Sequence, residues 1–366
     1  MKICCFIDSL TSGGAQRQLV NLACLLKEQG YTIDFLIYRN DLFYNHFLSD
    51  AGIDVTYISN KSNIDRIRKI RSYLRKYDGD IVISFLETPN FLACFSAIGP
   101  RKWKLITNEL SAKETSFTTP RGKVFKFFER FSDWTVCNSE NAKRMWVSYY
   151  PEYQSRISTI YNPIIIDCSK YSGADNSDGR RHIVIAATYQ YLKNPIRLIK
   201  AVSKLTKEER SKLRIDWYGR KEVEIGNKRA YLEAEQLIQD LDLQETITLN
   251  DETKDIYKKM FTSDAVALFS TVEGLPNAIC EGMMLGKPVI MSKVSDYSTF
   301  VTKENGFLCD PLDEESIYSA LVDFMNTPNK RLKVMGEESA RIARTLFSPA
   351  AVINEWEKLF DQLIET

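Results

Sequence analysis

Two glutamates, Glu273 and Glu281, bracket the run Glu273-Gly274-Leu275-Pro276-Asn277-Ala278-Ile279-Cys280-Glu281, and their type and spacing suit one kind of ligand. The apolar stretch Ala265-Val266-Ala267-Leu268-Phe269 just before them has the pattern of a buried parallel strand. Gly274 and Pro276 then break the chain, and a helical pattern begins at about Pro276, where proline's missing N–H is no loss. Free backbone N–H groups and the positive end of the helix dipole make such a start an anion site. On one continuous helix the two carboxylates would stand ~12 Å apart along the axis and ~80° apart around it. With Glu273 on the loop and Glu281 one turn into the helix, both can face one cleft instead. Carboxylates flanking a phosphate-binding helix start fit a ligand with hydroxyls at both ends and a diphosphate between them, which describes a nucleotide-sugar.

Two other segments carry similar chemistry. The first apolar strand runs into Ser9-Leu10-Thr11-Ser12-Gly13-Gly14-Ala15-Gln16-Arg17, where adjacent glycines let backbone amides approach an anion. This is not G-x-G-x-x-G, and no acidic residue ends the second strand to hold an NAD ribose, which disfavours a dinucleotide dehydrogenase. Further along, Lys193 stands just before a Pro195-started helix, placed to neutralise a diphosphate. The plain alternatives are a tight turn at the glycines and a solvated lysine.

The elements that must position these residues alternate. Apolar strands at Lys2–Asp8, Thr32–Tyr38, Asp54–Ile58, Asp80–Phe85, Lys104–Asn108 and Trp134–Asn138 are separated by helical segments such as Ala15–Gln29. A polar break, Ser172–Arg181, is the best linker. A second set follows at His182–Ala187, Leu213–Tyr218, Ile247–Leu249, Ala265–Ser270, Pro288–Met291 and Gly306–Leu308. Repeated strand–helix alternation means parallel sheets, and 366 residues exceed one ordinary core. The expected architecture is α/β: two Rossmann-like domains facing across a cleft, residues 1–171 and 172–346. A final helical pattern, 347–366, stands after the second domain.

Composition bounds the function. The chain is 44% hydrophobic and 27% charged with a net charge of +1, and its N-terminus reads as a first core strand rather than a signal peptide. No apolar run approaches the ~20 residues that span a bilayer, so a cytoplasmic protein is expected. The eight cysteines show no metal spacing and are expected to be buried thiols. Only His46 and His182 exist, which argues against a His-based metal site or a Ser-His-Asp triad. Charge is uneven: residues 1–170 hold 23 Lys and Arg against 17 Asp and Glu, and residues 171–366 hold 26 against 31. The basic excess gathers in Arg66–Lys76 and Arg101–Arg130. In the latter, Arg121-Gly122-Lys123-Val124-Phe125-Lys126-Phe127-Phe128-Glu129-Arg130 interleaves cations with aromatics, as a surface touching anionic lipid headgroups does. The competing arrangement turns the phenylalanines inward and leaves the lysines in water. Nothing matches a nucleic-acid-reading module.

Taken together, these segments resemble the retaining glycosyltransferases of family 4, the two-Rossmann-domain (GT-B) group 1 enzymes of bacterial polysaccharide assembly. The resemblance rests on Gly13-Gly14-Ala15, Ser139, Ile160-Tyr161-Asn162-Pro163, Lys193-Asn194, Tyr218-Gly219, Glu273–Glu281, Gly286-Lys287-Pro288-Val289, Asn305-Gly306-Phe307-Leu308 and Phe347-Ser348, which span nearly the whole chain in order. It implies that Glu281 binds the donor ribose and Glu273 the transferred sugar. It also implies that Lys193 meets the diphosphate, together with the backbone at Gly274, Leu275, Pro276 and Asn277. Gly13 and Gly14 would let the first domain close over the phosphates. The resemblance further implies that the final helix, 347–366, packs back on the first domain. It implies a UDP- or GDP-linked sugar as substrate and neither a metal nor another cofactor. An acceptor anchored in the inner membrane leaflet, such as a polyprenyl-diphosphate-linked oligosaccharide, fits the basic, aromatic first domain.

Two positions depart from the family pattern. Where an arginine usually stands five residues before the lysine, this chain has Thr188, so Arg220 or Arg17 must complete the cationic clamp. Where many members carry a histidine in the first domain, this chain has Thr107-Asn108-Glu109-Leu110-Ser111, which makes Glu109 the candidate contact to sugar or acceptor. Two other functions share these features. One is a non-catalytic donor-binding subunit of a glycosyltransferase pair, suggested by Thr188. The other is a nucleotide-sugar 2-epimerase, which would need more acid/base groups than this His-poor chain offers.

Overall fold

Short runs of Ile, Val, Leu and Cys that are apolar on both faces can be satisfied only inside a sheet covered on both sides, and the chain builds two such sheets. The computed structural model describes residues 1–110, 114–171, 179–223 and 226–365. The chain divides into a first unit, Met1–Ile165 with Pro349–Thr366, and a second, Ile166–Ser348. The stretch read as a linker, Ser172–Arg181, lies outside the described residues apart from Gly179, Arg180 and Arg181.

In the first unit β1 (Lys2–Phe6), β2 (Thr32–Ile37), β3 (Val55–Tyr57), β4 (Ile81–Phe85), β5 (Lys104–Glu109), β6 (Trp134–Cys137) and β7 (Ile157–Thr159) pair in the order β3-β2-β1-β4-β5-β6-β7. All neighbours are parallel. β7 was not expected: its three residues carry one buried apolar side chain, Ile157, too little for a readable period. Adjacent Cys4 and Cys5 point to opposite faces, as strand geometry requires. Cys5 packs among Ile3, Ile7 and Leu19, and Cys4 among Phe6, Ile70 and Leu74. The helix Pro349–Ile364 adds Val352, Ile353, Trp356, Leu359, Phe360 and Leu363 to the Cys5 side. Its Phe360 ring meets Tyr31 edge-on at 5.8 Å.

The second unit repeats the plan. β8 (Arg181–Ala186), β9 (Leu213–Tyr218), β10 (Ile247–Asn250), β11 (Ala265–Leu268), β12 (Val289–Ser292) and β13 (Gly306–Cys309) pair in the order β10-β9-β8-β11-β12-β13. Every pairing is again parallel. In each sheet the strand order reverses at one point, between β1 and β4 and between β8 and β11. Open α/β sheets hold ligands outside the carboxyl ends of strands at such a reversal.

The aromatic–basic helix Pro120–Phe128, started by Thr119 as cap and Pro120, corrects one expectation. Lys126 does not face water or lipid; its side chain is 2% exposed. Its ammonium lies 2.5 Å from Glu109 Oε2, 3.2 Å from Glu129 Oε1 and 3.8 Å from the centre of the Trp146 ring. Two buried carboxylates draw the cation inward. The outer face instead carries Val124 and Phe127, each about half exposed, beside Arg121, Lys123 and Arg130. Among the described residues no helix is long and apolar enough to cross a membrane.

Candidate donor site at the β8–β11 switch point

Lys193 and Glu273 leave the carboxyl ends of the two strands between which the second sheet reverses, so topology alone makes them neighbours. Lys193 closes a short 3-10 turn, Tyr191–Lys193, after β8. Asn194 follows it with φ 66°, a left-handed conformation that asparagine tolerates better than most residues. The Asn194 side chain is buried and donates to Phe269 O (3.1 Å) and Pro311 O (2.7 Å). The Thr271 N–H donates to Leu192 O at 2.8 Å. These bonds stitch the Lys193 turn to the exit of β11.

Glu273 Oε1 then accepts both Lys193 Nζ at 2.5 Å and Ser270 Oγ at 2.6 Å. Its other oxygen, Oε2, has no hydrogen-bond partner among the described residues. The carboxylate is thus held by one oxygen and open at the other, and Lys193 keeps further N–H donors for a second anion.

The helix after this loop spans Asn277–Met284 with Pro276 at its cap, one residue later than the sequence suggested. Pro276 has no N–H, and the N–H of Asn277 is engaged by Leu275 O at 3.0 Å. At the turn and helix start, the N–H groups of Gly274, Leu275 and Ala278 are among the backbone donors without an acceptor among the described residues. Asn277 Oδ1 is also buried without a partner, the signature of a polar atom awaiting water or ligand. Gly282 lets the helix lie on β11: a Cβ there would stand 2.7 Å from the Val266 side chain. One turn in, Glu281 is 7% exposed and accepts the Tyr257 hydroxyl at 3.1 Å. Each of the two glutamates has its own support, Glu273 from Lys193 and Ser270 and Glu281 from Tyr257.

The clamp position is answered in part. Gly219, after β9, packs so closely that a Cβ would lie 1.9 Å from Ala187 O. The Tyr189 N–H donates to Arg220 O at 3.0 Å, which fixes the Arg220 backbone beside Thr188. The Arg220 side chain is exposed, with only a loose 3.8 Å approach to Glu252. Ser270 and Tyr257 were not anticipated. Ser270 sits three residues before Glu273 on the strand exit and was open to notice. Tyr257 lies on another helix and left no signal.

In the first unit, Gly13 caps the helix Gly14–Glu28 with extended φ and ψ, and the Gln16 side chain folds into the space a Cβ at Gly13 would fill. Gln16 Nε2 donates to Asp8 Oδ1 at 3.0 Å. A Cβ at Gly14 would meet nothing within 4 Å, so open space lies beside that residue. Arg17 lies in the first turn, partly buried. Glu109 ends β5, and its side chain is 6% exposed, committed to Lys126 inside the unit. Ser111 of that segment lies outside the described residues. Burial pushes the neighbouring Glu129 carboxyl up to about 7, although Lys126 pulls it down. At the first sheet's own reversal point, Leu86 after β4 adopts φ 79°, a strained setting for a branched side chain.

Comparison with known proteins agrees with this fold. Residues 12–167 match the family Glycosyltransferase Family 4, and residues 172–341 match Glycosyl transferases group 1. A Campylobacter jejuni protein, 26% identical over 376 residues and covering 99% of both chains, is named GalNAc-alpha-(1->4)-GalNAc-alpha-(1->3)-diNAcBac-PP-undecaprenol alpha-1,4-N-acetyl-D-galactosaminyltransferase. An uncharacterized glycosyltransferase of Haemophilus influenzae is 24% identical, covering 97% of this chain and 99% of its own. Among solved structures, Anabaena HepE in complex with UDP superposes with a TM-score of 0.84 at 17% identity, covering 99% of this chain and 100% of that one.

Proposed function

The chain belongs to the group 1, family 4 glycosyltransferases of GT-B fold, and from that premise we propose that it transfers a sugar, with retention, from a nucleotide-sugar to a lipid-linked saccharide. The observation that carries this reading is Glu273: Oε1 fixed by Lys193 and Ser270, Oε2 open. An open, oriented carboxylate suits sugar hydroxyls. The uncommitted N–H groups of Gly274, Leu275 and Ala278 suit a diphosphate, and the supported Glu281 suits a ribose.

Transfer develops negative charge on the departing diphosphate. Lys193 and the helix start answer it as preorganised donors, with no proton moved by the protein. Attack comes from the same face, and the leaving phosphate takes the acceptor's proton. On this reading no metal is needed, so a chelator leaves the rate unchanged. The name of the Campylobacter jejuni relative supports a polyprenyl-diphosphate-linked acceptor, and the UDP held by the Anabaena structure supports a UDP-sugar donor. The exposed Val124 and Phe127 among Arg121, Lys123 and Arg130 support a chain that works from the cytoplasm at an anionic membrane face.

The test is a thermal-shift and calorimetric screen against UDP-, GDP- and ADP-sugars. One nucleotide class binds, and Glu281→Ala weakens it by about tenfold or more, since a hydrogen bond to a charged group is worth about 1.5–3 kcal/mol. Equal binding by Glu281→Ala would reject the site.

A further inference from the structure

The second unit has another concavity, at the opposite end of its strands from Lys193 and Glu273. A cavity of about 480 Å³ opens where β8, β11 and β12 begin, beside Arg181, Asp264 and Lys287. Its far wall is one stripe of the helix Asn329–Phe347, carrying Lys333, Glu337 and Arg344. A second cavity of about 340 Å³ shares Arg181 and Asp264 and adds Arg180 and Lys212.

Two glycines make the enclosure possible. Gly286 turns with φ 73°, and a Cβ on Gly336 would stand 2.1 Å from its carbonyl oxygen. The helix therefore lies directly against the Gly286-Lys287 turn, and its charged stripe overhangs the strand starts. Arg181 is braced there, one terminal nitrogen donating to Asn329 Oδ1 and the other to Thr327 O at 2.6 Å. Lys333 has no partner among the described residues. The uncapped start of this 19-residue helix has no acidic residue in its first turn.

The charge is the notable part. Six cations line the two cavities against two carboxylates, Asp264 and Glu337. Residues 171–366 as a whole carry five more acids than bases. A random share of that surface would be negative, and a concave, cation-lined wall concentrates anions. The volume falls within the few-hundred-Å³ range of small-molecule sites and exceeds what one inorganic phosphate fills. Leu332, Pro288 and Ala340 supply an apolar wall for a non-ionic body.

We infer that this cavity is a second anion site, separate from the donor loop, which takes a small phosphorylated organic molecule such as a hexose phosphate or a nucleoside monophosphate. The phosphate lies among Arg181, Lys287, Lys333 and Arg344, and the organic part lies against Leu332 and Pro288.

Calorimetry on the full chain with a hexose 1-phosphate, AMP and inorganic phosphate tests it. One organic phosphate binds at millimolar concentration or below, more tightly than inorganic phosphate, and more weakly as salt is raised. Glu281→Ala binds it as the wild type does, which separates this site from the donor loop. The double variant Lys333→Gln, Arg344→Gln weakens it by about tenfold, equal to about 1.4 kcal/mol, while keeping its melting temperature and UDP binding. Lys333→Gln alone serves if the double variant melts early. No binding by either organic phosphate, inorganic phosphate binding as tightly, or unchanged affinity in the variants would each overturn the proposal.

Discussion

Lys193 Nζ, at 2.5 Å, and Ser270 Oγ both reach Glu273 Oε1, so the cation expected at the diphosphate and the carboxylate expected at the transferred sugar are in direct contact. The pair is mostly buried, with 20% and 11% of the side chains exposed, and the cost of desolvating both charges offsets much of their attraction, so its net worth to stability is small. In the proposed function its value lies in preorganisation: each group holds the other at the place where charge would develop.

Lys193→Ala is therefore expected to lower kcat by about 10²–10³-fold, the usual loss on removing one preorganised donor, with little change in melting temperature. Glu273→Gln keeps the Ser270 bond and is expected to lose transfer more than it loses UDP affinity. Single-turnover kinetics beside UDP calorimetry measure both.

Arg220 is held by its backbone beside Thr188, and its exposed guanidinium is one of the two candidates, with Arg17, for completing a diphosphate clamp. Arg220→Ala should weaken UDP binding by about tenfold, the loss of one charge-assisted contact. Adding Thr188→Arg to that variant should restore most of the affinity. No recovery would place the role of Arg220 elsewhere.

Membrane contact is expected from the face that carries Val124 and Phe127. Val124→Asp with Phe127→Asp should abolish sedimentation with anionic vesicles and leave donor binding intact. Lys126→Ala should behave differently: it strands Glu109 and Glu129 in the interior, a loss of about 3–5 kcal/mol for a broken buried pair. Melting curves and vesicle sedimentation on the same preparations tell the two effects apart.

The pH dependence of stability follows from Glu129. Burial raises its carboxyl from the ordinary value of 4.5 to about 7, so the folded chain holds that proton more tightly than the unfolded chain does. The sign is then set: stability from this group is complete at low pH, falls between about pH 5 and pH 7, and levels off above. Glu129→Gln, which cannot titrate, should flatten that decline in a melting series across the same range.

Much of this protein was legible without coordinates. Parallel strands buried on both faces announce themselves as apolar runs, which is why twelve of the strands and both sheets could be read, while the three-residue β7 could not. The Glu273–Glu281 run was also legible, because glycine, proline and paired carboxylates act over a few neighbouring residues. What sequence could not decide were contacts between residues far apart in the chain. Eighty residues separate Lys193 from Glu273, and only the reversal of strand order between β8 and β11 joins them. The same holds for Lys126: its helix pattern permits either orientation, and the choice fell to Glu109, seventeen residues away on another element. Local chemistry is written in order along the chain, whereas the pairing of charges depends on which strands lie side by side.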